Sequence, residues 1–189
     1  MEQQTVRLLI HESAGGNMVS FRKLVEMHQS FVYATAFRLL CNEPDTEEVV
    51  QDTFVRVWRN LSRFNQEMRF STWVYKIVVN LCYDRMRSGK VRKKAVSLNW
   101  EDISLPDPPS GEDIETSYIN TEQAKIIGYL TDRLSPQQRI VFSLSELEEL
   151  SVEEISEITG MTANKIKSNL YCAKQSIRKK LEHIEERRT

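Results

Sequence analysis

The sequence predicts an all-α protein made of two small helical domains joined by a flexible linker. Three observations point there. Apolar residues recur at i, i+3 and i+4 along most of the chain, the period of a helix with one buried face. Only 6 Gly and 5 Pro occur in 189 residues, too few turn-formers for a stack of many short strands. One stretch, 95–120, loses the period and collects Pro106, Pro108, Pro109, Ser110 and Gly111 between two periodic halves.

The elements follow in order. Residues 1–17 form an N-terminal segment, and the first domain runs over 18–94. Phe21, Leu24, Val25, His28, Phe31, Val32, Thr35, Ala36, Leu39 and Leu40 mark its first helix. Asp45 caps the second, with Glu48 three residues on in the manner of a capping box. Val49, Val50, Thr53, Phe54, Val57, Trp58, Leu61 and Phe64 give it a broad apolar stripe. Ser71 or Thr72 starts the third. Its Trp73, Val74, Ile77, Val78, Leu81 and Cys82 face one way, and it runs on to Arg87 with Gly89 as its stop. The acidic linker, 95–120, has a typical span of about 25–30 Å, enough to hold two domains apart on an extended partner.

The second domain covers 121–189. Thr121–Leu134 is a modest helix. Ser135 is an N-cap with Pro136 at the first helical position and Gln138 at the third. Ser151 and Glu154 form a second capping box, and Gly160 ends that short helix. Thr162 caps the last helix, whose buried side is Ile166, Leu170, Ala173, Ile177 and Leu181. A short helix, a turn at Gly160-Met161-Thr162 and a longer basic helix make a helix-turn-helix.

Composition excludes several classes. Net charge is −1, with 40% hydrophobic and 28% charged residues, as in ordinary soluble proteins. No apolar run reaches the ~18 residues of a membrane span, and the opening residues, with no basic stretch followed by a long apolar one, lead us to expect no signal peptide. Cys41, Cys82 and Cys172 are far apart, with no CxxC or Cys/His cluster, so neither disulfides nor a metal site are expected. A reducing cytoplasm fits. There is no phosphate-binding Gly loop, no HExxH and no nucleophile–base spacing; His11, His28 and His183 are scattered. The expectation is not an enzyme, with no cofactor and no small-molecule substrate.

The charges are sorted into blocks. Residues 43–55 hold five acids and no base, 101–115 six acids, and 146–157 six acids; 85–100 and 158–181 hold six bases each and no acid. Two separated basic blocks suit two contacts with a polyanion. The last helix exposes Asn164, Lys165, Lys167, Ser168, Asn169, Tyr171, Cys172, Lys174 and Gln175. Asn and Lys can bond purine edges in the major groove, and Lys, Ser and Tyr can bond phosphates. Lys167 is assigned to phosphate, and Asn164 or Lys165 to bases.

On the third helix of the first domain, Lys76, Asn80, Asp84 and Arg87 share one face. Tyr75 and Tyr83 lie near its edges, and Lys90, Arg92, Lys93 and Lys94 follow. Amides, a carboxylate and aromatics beside a basic run suit unpaired bases, which offer edges and π-faces. Local helix hydrogen bonding explains Asn80 and Asp84 equally well from sequence alone. The second helix sets Glu47, Glu48, Gln51, Asp52 and Arg56 opposite its apolar stripe. That face fits a basic protein partner, although acids near a helix N-terminus also complement its dipole.

DTEEVVQDTFVRVWRNLSRF, FSTWVYKIVVNLCYDRMR, a linker and LSPQQRIVFSLSELEELSVEEISEITGMTANKIKSNLYCAKQSIRKKL, in this order, resemble extracytoplasmic-function (ECF) sigma factors of bacteria. The resemblance covers about 18–94 and 121–182. It implies a transcription initiation factor that binds RNA polymerase core through Glu48, Gln51, Asp52 and Trp58. The face with Lys76, Asn80, Asp84, Arg87, Lys90, Arg92 and Lys93 would read the minus-ten element as single strand. Asn164, Lys165, Lys167, Ser168, Asn169, Tyr171 and Lys174 would read the minus-thirty-five element as duplex. The linker would thread the polymerase, its acids mimicking RNA. The family also implies an anti-sigma factor, often membrane-bound.

The recognition helix departs from the family's frequent Thr-Val-Lys-Ser-Arg-Leu. Here the run is Lys165-Ile166-Lys167-Ser168-Asn169-Leu170, with Cys172 where a further Arg is common. Trp73 stands alone where housekeeping sigma factors have a tandem Trp, which implies weaker intrinsic melting and stricter promoter choice. The rival reading is a stand-alone helix-turn-helix regulator. A stable complex with polymerase core separates the two.

Overall fold

The computed structural model describes residues 2–89 and 121–186, and the described segments are helices joined by short turns. In the first half these are α1 (Glu2–Ala14), α2 (Met18–Leu40), α3 (Glu43–Asn60) and α4 (Phe70–Arg87). In the second they are α5 (Thr121–Thr131), α6 (Pro136–Phe142), α7 (Val152–Thr159) and α8 (Ala163–Glu186). The acidic linker and Lys90, Arg92, Lys93 and Lys94 lie outside the described residues.

The boundaries have local causes. Asn17 caps α2 by accepting from the amides of Val19 and Ser20. Ser135 and Ser151 form reciprocal capping boxes with Gln138 and Glu154, as the sequence predicted. Gly160 ends α7 at φ 71°, a left-handed position that glycine adopts without a Cβ penalty. After Phe142 the chain widens into one π-turn, Ser143–Leu147, that redirects it toward α7.

Five expectations need correction. Segment 1–17 holds a helix, α1, whose Leu9 and Ile10 are buried and which packs on α2. The cap of α3 is Asn42, not Asp45. Asn42 Oδ1 accepts from the Asp45 amide, Pro44 sits in the first turn, and Asp45 itself is buried. The first residue of α4 is Phe70, one position before the earlier of the two predicted starts, because the buried Phe70 anchors it and Arg69 offers no side-chain cap. Tyr75 is not an edge aromatic: it is buried, with its ring 4.8 Å from that of Phe31. Leu181 is exposed, at the far end of α8.

α2, α3 and α4 pack mutually around Leu24, Val32, Leu39, Val49, Val57, Val74 and Val78, all essentially solvent-free. Each such side chain contributes about 1.5–3 kcal/mol by leaving water. The same apolar cluster continues into the second half through Ile140, Val141, Leu144, Ile155, Ile158 and Ile166. The halves are therefore packed together, α4 on α6 and α7, and α2 on α5. A smaller cluster of Leu134, Ala173 and Ile177 holds α8 to its own domain.

Candidate nucleic-acid interface

The helix-turn-helix is built from short-range polar bonds over a shared apolar floor. Ser156 Oγ donates to the Met161 carbonyl at 2.7 Å, and Thr159 Oγ1 accepts from the Met161 amide at 3.2 Å. Thr162 Oγ1 accepts from the Lys165 amide at 3.4 Å, so the predicted cap is in place. Ile155, Ile158 and Ile166 are buried between α7 and α8. The outer side of α8 consequently presents Asn164, Lys165, Lys167, Ser168 and Tyr171 to solvent, Tyr171 with 66% of its surface exposed. Its first turn has no acid, which favours an approaching phosphate. Two predicted residues are engaged within the chain. Asn169 Nδ2 donates to the Lys165 carbonyl at 2.8 Å, and Lys174 pairs with Glu146 at 3.0 Å.

On α4 the buried stripe of Val74, Val78, Leu81 and Cys82 turns Asn80, Asp84 and Arg87 outward, with Lys76 half-buried beside them. Arg87 lies over the Tyr83 ring, 5.9 Å from its centroid, a cation beside an aromatic face at the end of the helix. Trp73 is half-buried and packs on Phe64 and Phe70.

The polar side of α3 is exposed at Glu47, Glu48, Gln51 and Asp52. Trp58 is half-buried, edge-on to Phe21 with ring centroids 4.8 Å apart, so it forms the floor of this surface. Val55, one turn from Gln51, is 44% exposed and puts an apolar spot in the acidic face. The sequence reading passed over Val55 because it falls outside the main stripe.

Arg85 ties this helix to α4. Its Nη1 donates to Asp45 Oδ1 at 2.8 Å and its Nη2 to Glu48 Oε2 at 2.5 Å. Burial opposes the guanidinium charge, but Glu48, Asp45 and Asp52 outweigh it and hold Arg85 more firmly protonated than usual. The other carboxylate oxygen of Asp45, Oδ2, is buried without a hydrogen-bond partner. One side chain thus fixes the acidic face of α3 against the Asn80 face of α4. The sequence counted Arg85 only as part of a basic block.

An open cleft of about 620 Å³ lies between the halves, with His28, Arg69, Ser71, Thr72 and Tyr75 on one wall and Leu150, Glu154, Glu157 and Ile158 on the other. Burial pushes the Tyr75 phenol up, and Glu148 close by pushes it the same way. Burial likewise raises the thiols of Cys82 and, against the pull of Arg139, Cys41; Cys172 is exposed. Among the described residues no cluster of His, Cys, Asp and Glu could hold a metal ion, and no helix is long and apolar enough to cross a membrane.

Comparison with known proteins shows the family. Residues 24–92 match the sigma-70 region 2 family, and residues 125–177 match sigma-70 region 4. The ECF RNA polymerase sigma factor SigW of Bacillus subtilis is 25% identical over 191 residues, covering 96% of this chain and all of the relative. The chain belongs to the ECF sigma factor family. SigE of Mycolicibacterium smegmatis is 30% identical over 162 residues, 85% of this chain and 61% of the relative. The sigma-E factor of Escherichia coli K12 is 26% identical over 189 residues, 97% of each chain.

Solved structures agree in fold. CnrH, in complex with the cytosolic domain of CnrY, superposes with a TM-score of 0.66 at 23% identity, over 95% of this chain and 98% of that one. RpoE of Bartonella quintana, in complex with the anti-sigma factor NepR, gives 0.58 at 20% identity, over 86% and 96%. The two sigma-70 matches follow the order of the parts: the region 2 match spans most of α2 and all of α3 and α4, and the region 4 match spans α6, α7 and most of α8.

Proposed function

We propose that this ECF sigma factor binds RNA polymerase core through the outer side of α3 and carries it to promoters through two further faces. Gln51 and Asp52, with Glu48 held by Arg85 and Val55 beside them, dock on the polymerase. Asn80, Asp84 and Arg87, with Lys76 beside them and Lys90, Arg92 and Lys93 following in sequence, read the unpaired minus-ten strand. Asn164, Lys165, Lys167, Ser168 and Tyr171 enter the minus-thirty-five duplex, joined by Asn169 and Lys174 if their internal partners are released. The protein acts in the cytoplasm and is restrained by an anti-sigma factor, the kind of partner with which RpoE of Bartonella quintana was crystallised. Bond-making chemistry is left to the polymerase.

The observation that carries this reading is the crossing of α3 and α4. A stand-alone DNA-binding regulator has use for α8 but not for a helical body with a predominantly acidic face on one helix and an amide–carboxylate–guanidinium face on its neighbour, pinned together by Arg85.

The docking role of α3 has a direct test. Gln51 and Asp52 are exposed and lie two turns into the helix, beyond the reach of the N-terminal dipole. Replacing both with Ala should leave unfolding free energy within about 0.5 kcal/mol of the parent. Affinity for core, measured by competition with another sigma factor, should fall roughly tenfold as polymerase groups lose partners. Unchanged competition by a folded double variant would remove α3 from the docking surface.

A further inference from the structure

One flank of α8 carries Lys167, Tyr171, Lys174 and Arg178 at spacings of four, three and four, all exposed. Ile166, Ala173 and Ile177 are buried, so this flank stands clear of the domain's core. Two of its three cations are answered within the chain. Arg178 Nε donates to Glu182 Oε1 at 2.9 Å, one turn on along the same helix. Lys174 Nζ donates to Glu146 Oε1 at 3.0 Å, and Glu146 comes from a different element, the π-turn Ser143–Leu147.

The turn sets Glu146 in place. Its Ser143 and Leu144 are buried, the Glu148 amide donates to the Ser143 carbonyl at 3.1 Å, and the Leu150 amide donates to the Leu144 carbonyl at 3.0 Å. Ser145 Oγ donates to the same Glu146 oxygen that Lys174 uses, at 3.0 Å. A carboxylate braced in this way pays less ordering entropy to stay on its lysine than a partner on a free helix surface does. Single π-turns also mark functional positions in many helical proteins.

We propose that Glu146 is a positioning residue of the duplex-binding face: against Lys174 its carboxylate occupies the place a DNA phosphate would take, and so holds the duplex affinity of α8 below what its lysines alone would give. This rests on the reading of α8 as the DNA face. Carboxylate and phosphate oxygens both accept from an ammonium, so the two compete for one partner. With the pair intact, Lys174 and Glu146 together bring no net charge to the duplex, and the DNA gives up no counterion there. Without the carboxylate, Lys174 counts as a full phosphate contact. A pair this open to solvent is weak, so affinity changes moderately while the salt dependence shifts by a whole contact.

Fluorescence anisotropy of the full chain on a short labelled duplex of random sequence, repeated over a salt series, tests this. Such a duplex reports phosphate contacts whatever the promoter sequence. Glu146→Gln should bind roughly threefold tighter at low salt, and its plot of log affinity against log salt should steepen by about one. Glu146→Gln/Lys174→Ala should return to the parent slope. Glu26→Gln, which removes the same charge from an exposed position on α2, should keep the parent slope, whereas a general gain in net charge would steepen both single variants alike. The urea midpoint should stay at the parent value; a merely structural ion pair would move the midpoint and leave the slope. An unchanged slope in folded Glu146→Gln, or a steepening that Glu26→Gln shares or that survives Lys174→Ala, would overturn the proposal. Lys167→Ala scores the underlying reading separately, since it should lower the slope by about one with or without Glu146. If it does so and Glu146→Gln changes nothing, α8 stays the DNA face and Glu146 loses its role. If Lys167→Ala leaves the slope unchanged, the DNA reading of α8 falls and takes the proposal with it.

Discussion

Arg85→Met should lower the unfolding free energy by roughly 2–3 kcal/mol, the largest stability loss expected from any side chain in the described sites. The cause is the group left behind. Asp45 is buried, one carboxylate oxygen already lacks a partner, and Arg85 is the hydrogen-bond partner of the other. Removing the guanidinium strands a charge in a low-dielectric setting, and Met replaces most of the lost packing but none of the charge. The same reasoning gives a rescue. Arg85→Met/Asp45→Asn removes the stranded charge and should recover more than half of the loss. Urea denaturation reads both through the midpoint, with the slope unchanged. A single variant as stable as the parent, or a double variant less stable than the single, would mean that the pair does not hold α3 to α4.

Asn80→Ala should leave stability and core binding intact and lower open-complex formation roughly tenfold to a hundredfold, the range for losing a base contact that supplies both a donor and an acceptor. Asn80 is exposed on a helix whose buried stripe lies on the other side, and Ala is the better helix former. Permanganate reactivity of promoter thymines reads melting directly. Equal reactivity with mutant and parent would return Asn80 to local helix hydrogen bonding.

Short-range signals were the legible ones. Ser135 with Gln138, Ser151 with Glu154, Gly160 and Thr162 each act within four residues, and the structure places each as the spacing predicted. The face of α4 was legible for the same reason, since a 3.6-residue period fixes which side chains share a side. Asp45 shows where this stops. Asp followed three residues later by Glu matches a capping box, but an Asp buried against an Arg forty positions on gives the same local pattern.

The helix α1 was missed because its buried face is narrow, essentially Leu9, Ile10 and Ser13, and takes its support from α2. The packing of the two halves was invisible for a related reason. Arg38, Cys41, Gly128 and Glu148 are unremarkable in sequence and acquire meaning only when the fold brings them together. A stripe of apolar residues reveals that a face is buried, not which domain covers it.

The central claim is that this chain gives RNA polymerase its promoter choice. Run-off transcription with purified core, supercoiled templates carrying a pool of genomic promoters, and the full chain tests it most directly. The account predicts discrete transcripts from a small set of promoters that share sequence in both the minus-ten and the minus-thirty-five regions, absent without the chain and lost with Gln51→Ala/Asp52→Ala. DNA binding by the chain alone, with no transcript from any template and no co-elution with core, would contradict it and leave the helix-turn-helix regulator as the reading.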